Sequence, residues 1–320
     1  MEQQLEKSTV PRRVVQYMAL AFGSTWAIGG LMALLGVDAS SGPPYLIMAG
    51  VCMLGPALAA LVMRWSTNGA WSQIGLPLRG TRWPVVAATV LFGVLIVPTY
   101  LLLSHLLGTV PGVAQVDLST SGLIAQVTAA FEGAGIEPSQ DTLDRLSSVP
   151  AWLVLVGVLL AAVLAASTVN LPFMLGEELG WRGYLWHVLQ DTPAWQRILF
   201  TGVVWGLWHA PLIAMGHNYP GHPVSGIGMM VLLCTAMALP FDWTRTRSGS
   251  VWSSALLHGI INGSAGASVL FAAGGYVLMG SIVGVVGITA LLLLGGAIVL
   301  LDGRYRAHLM GAPLPGRIPV

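Results

Sequence analysis

Glu177 and Glu178 stand side by side at the end of an apolar run, and Arg182 follows four residues after the second of them. Residues four apart share one face of a helix, so Glu178 and Arg182 are predicted to pair, while Glu177 points about 100° away and keeps its carboxylate for another task. A carboxylate at bilayer depth costs at least about 2.5 kcal/mol, so it persists mainly where it is partnered or performs chemistry. Two later apolar runs carry a histidine each, in Trp205-Gly206-Leu207-Trp208-His209 and in His258-Gly259-Ile260-Ile261-Asn262. His258 and Asn262 are again four apart, and both donate hydrogen bonds toward one point. That arrangement suits stabilisation of a developing oxyanion, although a polar clamp between helices needs the same residue types. Taken singly, the glutamate pair also reads as an ion pair at a helix end and His209 as a packing residue. Together they resemble an acid–base site assembled inside a membrane bundle. Trp205, four residues before His209, lies on the histidine's face of the helix and is expected to stack there.

The elements that must hold these residues follow from composition. The 320 residues are 55% hydrophobic and 8% charged, with a mean hydropathy of +0.76. Soluble domains carry about a quarter charged residues, so this is an integral membrane protein, expected to be an all-α, polytopic helix bundle. Runs of about 20 apolar residues cross the hydrocarbon as helices. Eight such runs occur, near 14–36, 45–64, 84–107, 150–173, 198–216, 224–242, 250–271 and 277–301, and the fourth is expected to pass through Pro172 as helix. The first run exceeds the length of a cleaved signal core and reads as a retained span. The whole chain, 1–320, is predicted to form one integral membrane domain, with 108–149 as an extracytoplasmic insertion and 170–265 as the core carrying the chemistry. Leu123, Ile124, Val127, Ala130 and Phe131 recur at helical spacing within the insertion and predict a helix over its surface.

If every run crosses, 13 of the 14 lysines and arginines fall on one side, leaving only Arg145 on the other. Basic residues mark the cytoplasmic side, so both termini are expected there. The formal charge of +1, without a basic stripe, excludes a nucleic-acid partner. Lys7 is the sole lysine, an arginine bias that fits a GC-rich bacterial genome and hence an inner (plasma) membrane. Cys52 and Cys234 lie in apolar runs and read as small hydrophobes. Spacings such as Gly202 with Gly206 and Gly259 with Gly263 permit close helix approach. His105, His187, His217, His222 and His308 read as interfacial or loop residues.

The order of the three motifs resembles the CAAX prenyl protease and bacteriocin-processing family of intramembrane endopeptidases (CPBP, or Abi), related to the type II CAAX prenyl endopeptidase. Glu177, Glu178 and Arg182 match the first motif, Trp205 and His209 the second, His258 and Asn262 the third. The second motif commonly begins with phenylalanine, where this chain has Trp205. The resemblance implies a peptide hydrolase in which Glu177, helped by His209, activates water. His258 and Asn262 would stabilise the tetrahedral oxyanion, and Glu178, partnered by Arg182, would orient the site. The expected substrate is a membrane-anchored peptide or protein. No cofactor is favoured, and a zinc version would use Glu177, His209 and His258 as ligands. A proton-coupled transporter and a non-catalytic membrane scaffold stand as readings from other classes, the former weakened by the lack of an internal repeat. Oligomeric state is not legible.

Overall fold

The computed structural model describes residues 2–36, 49–67, 70–133 and 135–312, with side chains from residue 10 onward. The start of the second apolar run, the Lys7 side chain and Arg317 lie outside these. The described residues are mostly helical, with almost no strand. In order come α1 (Glu2–Leu34), α2 (Ala49–Thr67), α3 (Trp83–Leu106), α4 (Thr120–Gly133), α5 (Gln140–Ser147), α6 (Ala151–Ala166) and α7 (Leu171–Glu178). After a π-helical turn over Leu179–Leu185 follow α8 (Ala194–Trp208), α9 (Ala210–Ala214), α10 (Pro223–Ser248), α11 (Val251–Phe271), α12 (Val277–Gly280), α13 (Val285–Leu301) and α14 (Gly303–Leu309). One small antiparallel ladder, β1 (Gln115–Val116) with β2 (Ala272–Ala273), pairs Gln115 with Ala273 and Val116 with Ala272.

Six described helices are long and apolar enough to span a bilayer: Val10–Leu34, Ala49–Thr67, Trp83–Leu106, Pro223–Ser248, Val251–Phe271 and Val277–Leu301. A seventh arises if α5 and α6 form one span across their 103° bend. The two remaining expected runs are interrupted, each beside a proline. The run 198–216 stops as a helix at Trp208, because Pro211 has no N–H for the Leu207 carbonyl and its ring crowds that carbonyl. The run 150–173 does not pass through Pro172. Helix α6 ends at Ala166, where the Ser167 and Thr168 hydroxyls donate to Val163 and Leu164 carbonyls at 2.8 and 2.7 Å, and α7 restarts with Pro172 in its first turn. Proline is accepted at that position, where a backbone N–H has no helical partner anyway.

Helix α11 lies at the centre, against α3, α6, α7 and α10, while α10 also packs on α8 and α13. The turn between α10 and α11 is two residues long. Gly249 closes α10 at φ 76°, a left-handed conformation that favours glycine, and the Ser250 side chain caps α11 by accepting from the Trp252 N–H at 3.3 Å. Leu91, Leu102, Leu160, Leu164, Leu292 and Leu300 are exposed, which in a bilayer is the lipid-facing surface. The main core gathers Tyr17, Trp181, Trp205, Trp208, Phe241 and Leu257, a dense aromatic wall around the polar residues. The expected helix of the insertion is α4, which buries Leu123 in a second cluster with Tyr100, Leu159 and Phe271.

Candidate active site

Helix α7 delivers Glu177 and Glu178 to the centre of the bundle, both essentially without exposure. The two carboxylates separate as their positions require. Glu178 Oε1 accepts from Arg182 Nη1 at 3.2 Å and lies 3.0 Å from His258 Nδ1. Glu177 turns the other way, accepting from the Trp205 indole N–H at 3.0 Å through Oε1 and facing His258 Nε2 at 3.5 Å through Oε2. His258 on α11 therefore stands between the two glutamates.

His209 sits at the break itself, between α8 and α9 and two residues before Pro211, and its Nδ1 lies 2.8 Å from the Trp205 carbonyl four residues back. A carbonyl only accepts, so Nδ1 carries a proton, and in the neutral imidazole Nε2 then keeps its lone pair. That Nε2 lies 3.8 Å from Glu177 Oε1. The separation is too long for a direct hydrogen bond. A water bound to both at about 2.8 Å fits two acceptors so spaced.

Arg182 is sandwiched as well as paired, its guanidinium 4.1 Å from the Trp205 ring centre and 4.3 Å from that of Phe241. Planar, delocalised charge stacked on aromatic faces is how arginine is kept in an apolar interior. The π-turn beginning at Leu179 leaves room for a further arginine: Arg245 Nε donates to the Arg182 carbonyl at 2.8 Å.

Glu177, Glu178, Arg182, Trp205, His209 and His258 are thus brought together. Asn262 is not bonded to them. It is exposed one turn beyond His258, and its amide nitrogen lies 3.5 Å from Met174 Sδ. Trp205 holds a role that stacking alone did not foresee, since its N–H donates to Glu177. Also unforeseen is Asp242, buried on α10, which receives Arg197 Nε and Nη2 at 2.7 and 3.1 Å, Trp186 Nε1 at 3.1 Å and the Tyr305 hydroxyl at 2.9 Å. This cluster ties the end of the π-turn to α8, α10 and α14. Its only sequence signal is an acidic residue inside an apolar run. Among the described residues, no group of three His, Cys, Asp or Glu side chains is arranged to hold a metal ion.

Comparison with known proteins places the three motifs in one frame. Residues 147–264 match the family model described as Type II CAAX prenyl endopeptidase Rce1-like, a stretch that contains all seven motif residues. A segment of 44 residues is 43% identical to CAAX prenyl protease 2 of Methanococcus maripaludis, covering 13% of this chain and 16% of that protein. The aligned segment thus spans about a sixth of the length of that relative. Residues 147–264, rather more than a third of the chain, are thus similar to the Rce1-like type II CAAX prenyl endopeptidases.

Proposed function

We propose that the protein is an intramembrane endopeptidase that cleaves membrane-anchored peptides or proteins with a water activated by Glu177 and His209. The observation that carries this reading is the 3.8 Å gap between Glu177 Oε1 and His209 Nε2, two acceptors positioned for one water. As the water oxygen bonds to the peptide carbonyl carbon, Glu177 takes its proton. The carbonyl π pair moves to oxygen and forms the tetrahedral oxyanion. When that oxygen re-forms its double bond, the C–N bond breaks, and the proton held by Glu177 passes to the departing nitrogen. The products are one new carboxyl group and one amine. Low dielectric strengthens each of these polar interactions.

His258 is built to serve the oxyanion. Its Nδ1 is fixed by Glu178 at 3.0 Å, whereas Nε2 is held only loosely, at 3.5 Å from Glu177. With a carboxylate facing each ring nitrogen the imidazole is read as doubly protonated, and its Nε2–H can pass from Glu177 to a developing negative charge. Asn262, one turn along α11 and exposed, is the second donor and reaches the oxyanion once substrate lies across that face. Glu178 and Arg182 are positioning residues acting through His258. The reaction is read as metal-free because no His-Glu-x-x-His helix occurs in the chain, while Glu177, His209 and His258 have zinc-ligand chemistry and would be the ligands of a zinc version.

The family description and the relative's name make a prenylated CAAX peptide the first substrate to assay. Purified protein in detergent is expected to cleave such a peptide or another membrane-anchored one. Glu177→Gln and His209→Ala should each lower the rate by about 10²-fold or more at unchanged thermal stability, the usual scale for a lost acid–base group. Activity should survive strong chelators. Restoration by zinc after chelation would overturn the metal-free mechanism, and solute uptake into proteoliposomes with no cleavage of any membrane-anchored peptide would favour transport instead.

A further inference from the structure

Apart from the glutamates, where α3 begins and α10 ends, lies a cleft of about 520 Å³. Arg79, Arg82, Arg245, Arg247 and His187 line it, with Asp191 as the acidic lining residue. Asp302 neutralises Arg247, its Oδ2 accepting from Nε at 2.6 Å. Among the described residues, no carboxylate is bonded to the other three arginines. Arg245, almost wholly buried, donates to the backbone carbonyls of Arg182 and Gln73 at 2.8 and 3.3 Å and stacks 4.4 Å from the Trp186 ring centre. Arg79 and Arg82 are exposed, and their guanidinium groups make no hydrogen bond or ion pair among the described residues. The recess therefore holds an excess of positive charge.

Its depth is set by the spans. Arg82 immediately precedes α3, whose first residue, Trp83, is exposed, and Arg245 and Arg247 occupy the last turn of α10. Span ends carrying arginine and tryptophan sit at the level of lipid headgroups. We propose that this cleft binds the phosphate group of an anionic lipid headgroup. The guanidinium fork matches phosphate oxygens two at a time, and basic recesses between span ends are the usual seats of anionic headgroups. Inorganic phosphate shares the chemistry, but a recess at the membrane surface meets tethered phosphates first. The local field agrees. Burial, then the Arg245 and Arg13 charges, push the His187 imidazole down from 6.5 to about 4, with Asp191 opposing. The cleft also shares a wall with the glutamate site, since Arg245 holds the carbonyl of the arginine that pairs with Glu178.

Native mass spectrometry of the detergent-purified chain, titrated with phosphatidylglycerol or phosphatidylcholine, tests the site. Phosphatidylglycerol is expected to be retained and phosphatidylcholine not. The double variant Arg79→Gln/Arg82→Gln should bind phosphatidylglycerol about thirty-fold more weakly, on the scale that two basic residues contribute near an anionic surface, while Arg79→Lys/Arg82→Lys keeps most of the affinity. A thermal melt verifies that the variants remain folded, as exposed and unpartnered side chains imply. Equal retention of phosphatidylcholine, or undiminished phosphatidylglycerol binding by the Gln variant, would sink the proposal. Binding of millimolar inorganic phosphate with the same arginine dependence, but no lipid retained, would overturn the lipid source. None of these readouts depends on peptidase activity.

Discussion

Trp205 stands where the resembling family commonly has phenylalanine, and the difference adds a hydrogen bond. Its indole N–H donates to Glu177 Oε1 at 3.0 Å while its ring supports Arg182. Trp205→Phe keeps a ring beside Arg182 and Phe241 but leaves a buried carboxylate oxygen without its donor, which costs about 1–3 kcal/mol. We expect a lower melting temperature in detergent and a reduced turnover number, read by cleavage kinetics. Arg182→Ala should be harsher. Removing one partner of a buried pair costs about 3–5 kcal/mol, so folded yield should fall together with activity, and unchanged thermal stability would show the pair to be dispensable. The Glu178–Arg182 pair was legible in the sequence because four residues is a local distance that helical geometry fixes. The Arg197–Asp242 pair was not, because its partners are 45 residues apart and only the packing of α8 on α10 brings them together. For the same reason the i,i+4 relation of His258 and Asn262 was readable, whereas the capture of His258 by both glutamates had to be seen.

At the scale of elements, the apolar runs located the six described helices long and apolar enough to span, but run length said nothing of breaks. Proline marked both interruptions, and these breaks shape the site: one frees His209 at a helix end and the other starts the helix that carries Glu177. The glycine spacings expected to allow close approach do so. A Cβ on Gly206 would fall on the Val231 Cα, and one on Gly259 would meet Ala166 Cβ at 2.7 Å. By contrast, Gly228 on α10 has nothing within 4 Å. Gly206→Ala is therefore expected to destabilise by about 1–3 kcal/mol through overpacking. Gly228→Ala should be neutral or gain up to about 1 kcal/mol from helix propensity. Thermal melts of the two variants in the same detergent check the contrast.

For the molecule as a whole, the skew of basic residues leads us to expect both termini and the basic cleft on the cytoplasmic side and α4 on the other. A cysteine placed at Ala125 should react with an impermeant reagent added from outside, against little background because Cys52 and Cys234 are buried. Labelling only after permeabilisation would invert this topology. The cleft also gives stability a pH dependence. His187 is held near 4 in the folded chain against 6.5 when free, so between those values the unfolded chain binds a proton that the folded one refuses. This contribution is intact above about 6.5 and drains away as the pH falls toward 4; His187→Gln should flatten that slope in melts across the range. The wide turn over Leu179–Leu185 carries one further consequence, for insertions and deletions. A π-turn is an α-helix that has taken in one extra residue and absorbed it in a wider turn, so a single-residue excision there would let the segment rewind as α-helix with its downstream face turned only slightly. Glu177 and Glu178, upstream, would keep their direction, and Trp186, downstream, would keep its approach to Asp242 and Arg245. A regular helix losing one residue would instead swing its downstream face by about 100°, so the turn is the one place in this segment where a missing codon is tolerated.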